Sequence, residues 1–118
     1  MEITYSTQGN LATVSLIGQL WQRDDLKSVD DIVESCIKDG LKIIVIDADR
    51  LSFINSQGLG FLVRTHARLK ESGGKLVLFS PRESVLEVME LSGFNMFMTI
   101  AKTKNDLSAA CNLDFRNN

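Results

Sequence analysis

The run Leu41-Lys42-Ile43-Ile44-Val45-Ile46 constrains this chain more than any other stretch. It is nearly continuously apolar and rich in β-branched residues. Such a run fits a strand buried on both faces, the usual state of a central parallel strand. The segments around it must therefore supply further strands and the helices that cover them.

The flanking sequence meets that demand. Glu2 to Thr7 alternates, Gln8-Gly9-Asn10 is a turn signal, and Leu11 to Ile17 alternates again, so the N-terminus reads as a hairpin closed by Gly18. Asp24 or Asp25 is the expected N-cap of a first helix. Its stripe is Leu26, Val29, Ile32, Val33, Cys36 and Ile37, and Gly40 ends it as a C′ glycine. After the buried run, Asn55-Ser56 is a turn into a second helix. Leu59, Leu62, Val63, His66 and Leu69 mark the stripe of that helix, and Phe61 lies off it. Gly73-Gly74 precedes a strand over Lys75 to Phe79.

Ser80-Pro81 predicts a third helix with Ser80 as cap and Pro81 at the first helical position, ended at Ser92-Gly93. Phe97 to Ile100 reads as a short edge strand. Thr103-Lys104-Asn105-Asp106 resembles a capping box, opening a last helix with Leu107, Ala110, Cys111 and Phe115 on its apolar side. Arg116-Asn117-Asn118 is expected to fray. A hairpin followed by alternating strands and helices predicts an α/β fold: one mixed sheet of about five strands with a parallel centre, packed with about four helices. No linker or repeat divides residues 1–118, which read as a single domain.

Composition narrows the function. Net charge is −2 and pI about 5.3, without the basic face that nucleic acid binding needs. The apolar runs are far too short to span a bilayer, and Met-Glu-Ile-Thr-Tyr has neither the basic nor the apolar region of a secretory leader. Cys36 and Cys111 lie in no metal or redox spacing and read as reduced core thiols, so a cytoplasmic protein without membrane contact is expected.

Enzymatic constellations are missing. The one histidine, His66, sits in a helical stripe and reads as a packing residue. Asp47 and Asp49 offer a divalent cation too few oxygens and read as turn residues beside Arg50. Gly58-Leu59-Gly60 matches neither the dinucleotide nor the P-loop spacing. These two glycines cost the helix about 1 kcal/mol each. That cost points to close packing: Gly58 as room for backbone approach at the helix start, Gly60 as a seat for the helix on the sheet. No cofactor or metal is expected. Trp21, in the loop before the first helix, is either a core plug or an exposed anchor of an interface. Phe94, Met96, Phe97 and Met98 are expected to pack in the core.

Ser56 stands where a strand ends and a helix begins. There it can cap the helix, or carry a phosphate at an end whose free N–H groups and dipole favour an anion. The segment Asp47 to Leu62, DADRLSFINSQGLGFL, resembles the signature of STAS domains, specifically the stand-alone anti-sigma factor antagonists of bacteria. Gly18, Gly73-Gly74, Ser80-Pro81 and Leu91-Ser92-Gly93-Phe94 resemble further landmarks of that family.

The resemblance implies a binding switch in transcription regulation, not an enzyme. The unphosphorylated protein would bind a serine kinase that is also the anti-sigma factor. Phosphorylation at Ser56 would block that binding, and a PP2C-type phosphatase would restore it. The implied partner-binding residues are Asn55, Ser56, Gln57, Gly58 and Leu59, with Trp21 beside them. Two positions depart from the family pattern: Asn55 replaces an acid, and Gln57 replaces Ser or Ala. These departures motivate an alternative, a constitutive STAS interaction module in a signalling or transport assembly. A Ser56 hydrolase is disfavoured, because His66, ten residues on, lies about 15 Å away along the helix. A monomer is expected.

Overall fold

The structure, a computed structural model, describes residues 1–112. The chain runs β1 (Glu2–Gln8), β2 (Leu11–Leu20), α1 (Arg23–Lys38), β3 (Ile43–Asp47), β4 (Leu51–Ile54), α2 (Ser56–Glu71), β5 (Lys75–Phe79), α3 (Glu83–Ser92), a 3-10 turn (Phe94–Met96), β6 (Thr99–Ala101) and α4 (Lys104–Cys111). The six-stranded sheet has the order β1-β2-β3-β5-β6, with β4 beside the end of β2. β1 pairs antiparallel with β2, and the other pairings are parallel.

The central strand is buried on both faces, as its sequence requires. Ile44, Val45 and Ile46 are all at 0% exposure. Period-two alternation divides the core. Ala12, Val14 and Leu16, with Ile44, Ile46, Leu76 and Leu78, meet α1, α2 and α3 through residues such as Val33, Leu62 and Met89. Leu11, Val45, Val77 and Ala101 face the other way and meet Leu107 and Cys111 of α4. Both cysteines are buried, and burial pushes both thiol pKa values up. They behave as small apolar side chains.

Several expectations need correction. β4 is a strand in its own right, where the sequence marked only the turn at Asn55-Ser56 after the buried run. It pairs with β2 through Gly18↔Leu51, Gln19↔Phe53 and Leu20↔Ile54, and the register slips between Gly18 and Gln19. Gly18 therefore does not close β2. It sits inside the strand at the bulge, with φ of +117°. Ser52 is the extra residue, and its hydroxyl donates to the Gly18 carbonyl at 2.9 Å.

Ser80 does not cap α3. Its φ is +54°, its N–H donates to the Ala101 carbonyl, and the helix starts three residues later with Arg82 as N-cap. Gln22 is the N-cap of α1, and Asp24 and Asp25 lie in its first turn, where the helix dipole favours them. The edge strand is Thr99–Ala101, because Phe94–Met96 forms the 3-10 turn. Met98 is buried and Phe94 half-buried, but Met96 and Phe97 are exposed, against the expectation that all four pack inside. Thr103 caps α4 as expected, accepting from the Asp106 N–H at 3.1 Å. Phe115 and the three residues after it lie outside the described residues.

Candidate functional site

The end of β4 delivers the chain directly into α2, and the junction is held by one side chain. Asn55 is the N-cap, in extended conformation, and its Oδ1 accepts from the Gly58 N–H at 2.9 Å. Its Nδ2 donates to the Trp21 carbonyl at 3.3 Å. Capping thus falls to Asn55, leaving Ser56 as the first helical residue. Ser56 is exposed, and its hydroxyl makes no hydrogen bond among the described residues. The serine is presented at a helix end that favours negative charge, with nothing in its own fold to do.

The two-sided role of Asn55 accounts for an amide at a position where the family pattern has an acid. An aspartate could accept from Gly58 but could not donate to Trp21. Asn55→Asp is therefore expected to change stability by no more than about 1 kcal/mol, because the gain from the helix dipole offsets the lost hydrogen bond. It should nevertheless free the loop that carries Trp21. Trp21 is the sole tryptophan, so its fluorescence anisotropy reports this directly. Unchanged anisotropy in the variant would show that the amide does not hold the loop.

The neighbours of Ser56 divide into supports and exposed surface. Gly58 and Leu59 are buried, with Leu59 7% exposed. A Cβ at Gly58 would lie 2.5 Å from the Leu20 carbonyl oxygen, so this glycine does admit close backbone approach. Gly60 does not seat the helix on the sheet: a Cβ there would meet only Nη1 of Arg64, at 3.2 Å. Gln57 is exposed, and Trp21 is 44% exposed, which favours the anchor over the core plug. Phe53, on β4 three residues before Ser56, is also exposed, at 43%. Sequence reasoning missed Phe53 as a surface residue because it sits between the buried Leu51 and Ile54.

The remaining candidates hold structure. His66 is half-buried, with its ring centroid 6.0 Å from that of Phe97. Asp47 Oδ1 accepts from the Asp49 N–H at 3.1 Å, and the Asp49 carbonyl accepts from Arg82 Nε at 2.7 Å, so this pair shapes a turn. Among the described residues no three His, Cys, Asp or Glu side chains converge to hold a metal ion, and no helix is long and apolar enough to cross a membrane.

Comparison with known proteins gives a consistent result. The family model for the STAS domain matches residues 3–110. BtrV of Bordetella bronchiseptica, assigned as an anti-sigma factor antagonist, is 34% identical over 71 residues. That match covers 60% of this chain and 61% of BtrV, so the chain spans less than two thirds of that relative. Two solved structures share the fold at low identity. The anti-sigma factor antagonist SpoIIAA in its unphosphorylated form has a TM-score of 0.80 at 19% identity, covering 95% of this chain and 98% of its own. The Bacillus cell fate determinant SpoIIAA in the phosphorylated form has a TM-score of 0.72 at 20% identity, covering 92% and 99%.

Proposed function

This chain belongs to the STAS domain family, and on that premise we propose that it is a cytoplasmic anti-sigma factor antagonist switched by phosphorylation at Ser56. In its unphosphorylated state it binds a serine kinase that doubles as the anti-sigma factor. Trp21, Phe53, Ser56 and Gln57 make the contact surface, and Asn55, Gly58 and Leu59 hold that surface in place. A PP2C-type phosphatase resets the switch. The observation that carries this reading is the exposed, unbonded Ser56 hydroxyl at the first position of α2, next to Asn55, whose amide holds the carbonyl of the exposed Trp21. The names of BtrV and SpoIIAA, and the existence of SpoIIAA in a phosphorylated form, support it.

The physics allows a sharp switch without refolding. A phosphate adds about −1.5 to −2 charges and three acceptor oxygens. At the N-terminus of α2 it suits the domain itself, whereas inside a packed interface it brings charge and bulk that must be desolvated. A penalty of about 3 kcal/mol would lower affinity roughly a hundredfold.

Ser56→Asp is therefore expected to weaken binding to the cognate kinase by about that factor, and Ser56→Ala to bind it permanently. Titration calorimetry with the purified kinase measures both. Wild-type affinity in Ser56→Asp, together with no Ser56 phosphopeptide after incubation with kinase and ATP, would end this reading. The chain would then be a constitutive STAS module.

A further inference from the structure

The helices that flank Ser56 also form a charged groove. α1 and α2 leave between them an open concavity of about 480 Å³, bordered by Arg23, Lys27, Arg64 and Arg68, with Gln57 and Phe61. Asp30 is the only acid that lines it. Arg68 Nη2 lies 3.2 Å from Asp30 Oδ1, yet Nε and Nη2 of Arg68 are buried without a hydrogen-bond partner. Lys27 pairs at 3.3 Å with Asp31 outside the groove, in an exposed contact worth little. Asp25 lies 3.9 Å from the N-terminal amine of Met1. Arg23 and Arg64 have no ion-pair partner among the described residues. The acids of the two helices thus point mostly elsewhere, and the lining of this groove sets four cations against one carboxylate.

Gly60 ties this groove to the switch. Arg64 lies back along α2 so that Nη1 comes within 3.2 Å of where a Gly60 Cβ would be. Positions 56 and 60 are one turn apart, and Cβ atoms at that spacing are about 5–6 Å from each other. A phosphate on Ser56 extends far enough from its own Cβ to meet that guanidinium after a modest side-chain rotation. The missing Cβ at Gly60 lets Arg64 reach so far toward the helix start.

We infer that the α1–α2 groove docks an acidic segment of the partner protein through Arg23 and Arg64, and that a phosphate on Ser56 competes with that segment for Arg64. The competition rests on the phosphorylation proposed above; the docking does not. Carboxylates match planar guanidinium groups in bidentate geometry, and complementary charge speeds encounter and fixes register. Phosphorylation would then act by filling the groove's own cation site as well as by steric and desolvation penalties at the serine.

The test uses the isotope-labelled full chain carrying Ser56→Ala and the capped peptide Glu-Glu-Leu-Glu-Glu-Leu as probe. Saturable chemical shift changes are expected at Arg23, Gln57, Arg64 and Arg68. Arg64→Glu and, separately, Arg23→Glu should each weaken binding by about tenfold, and the peptide with Gln in place of Glu should not bind. Absence of saturable shifts, shifts elsewhere on the surface, or undiminished affinity in both reversed variants would overturn the docking. Equal shifts with phosphatidylserine vesicles and none with the peptide would overturn it in favour of a membrane surface. In the wild-type chain carrying phosphate on Ser56, peptide affinity should fall below that of Ser56→Ala. Equal affinity would overturn the competition alone.

Discussion

Gly58→Ala is expected to destabilise the domain by at least about 2 kcal/mol, although the same change in an open helix would help. A helical glycine costs about 1 kcal/mol relative to alanine, so propensity favours the substitution. Space does not. The added methyl would stand 2.5 Å from the Leu20 carbonyl oxygen, 2.7 Å from Ile54 Cγ1 and 3.3 Å from Leu20 Cγ. All three atoms belong to Leu20 and Ile54, which pair between β2 and β4, so neither strand can move without breaking the ladder that carries Trp21 and Asn55. Overpacking of this kind typically costs about 1–3 kcal/mol, and more where backbone must shift.

Gly60→Ala supplies the contrast within the same turn of helix. There the methyl meets only the mobile end of Arg64, so stability should hold or rise by up to about 1 kcal/mol. Urea denaturation of both variants measures the difference. A Gly58→Ala domain as stable as wild type would mean that α2 can lift off the sheet edge, and that the position of Ser56 is not fixed by packing.

The sequence-legible parts of this fold are those where one element answers one partner. Ile44, Val45 and Ile46 need cover on both sides, and the continuous apolar run announces it. The hairpin is legible because Gly9 and Asn10 stand between two alternating strands that pair from Glu2↔Ile17 to Gln8↔Leu11. β4 hides because its two buried residues, Leu51 and Ile54, are three apart. The bulge at Ser52 breaks the period of two that a strand search depends on. Ser80-Pro81 has the right residues for a helix start, but the Ser80 N–H is already committed to the end of β6. That is a tertiary contact invisible to a local pattern.

The candidate site was legible in the same uneven way. Ser56 and Asn55 stand out at a strand-to-helix junction, and Gly58 through its cost to the helix. Phe53 reads as core by composition and is half-exposed in space. Arg23 and Arg64 are far apart in sequence and carry no motif. Only the packing of α1 against α2 puts them on one groove. A docking surface made of side chains from two helices has no linear signature, whereas a phosphorylatable turn does.

Phe61→Ala is expected to cost about 3–5 kcal/mol, the range for emptying a buried aromatic site. Phe61 is off the stripe formed by Leu59, Leu62 and Leu69, which would leave it exposed if α2 packed on the sheet alone. It is 2% exposed because α2 lies in the angle between the sheet and α1, and this ring fills the seam between the helices. Thr65, one turn further on, is 1% exposed. Against a total stability of about 5–15 kcal/mol, the loss of that ring is a large fraction.

The denaturation midpoint should fall while the slope stays the same, since the surface exposed on unfolding hardly changes. Acidic-peptide binding in the groove should weaken as well, even well below the transition, because Arg23 and Arg64 sit on the two helices that Phe61 joins. Phe61→Leu keeps most of the apolar volume and should lose far less of both. If Phe61→Ala cost under about 1 kcal/mol, α1 would be held by the sheet alone. The geometry of the groove would then be an accident of two helices lying side by side.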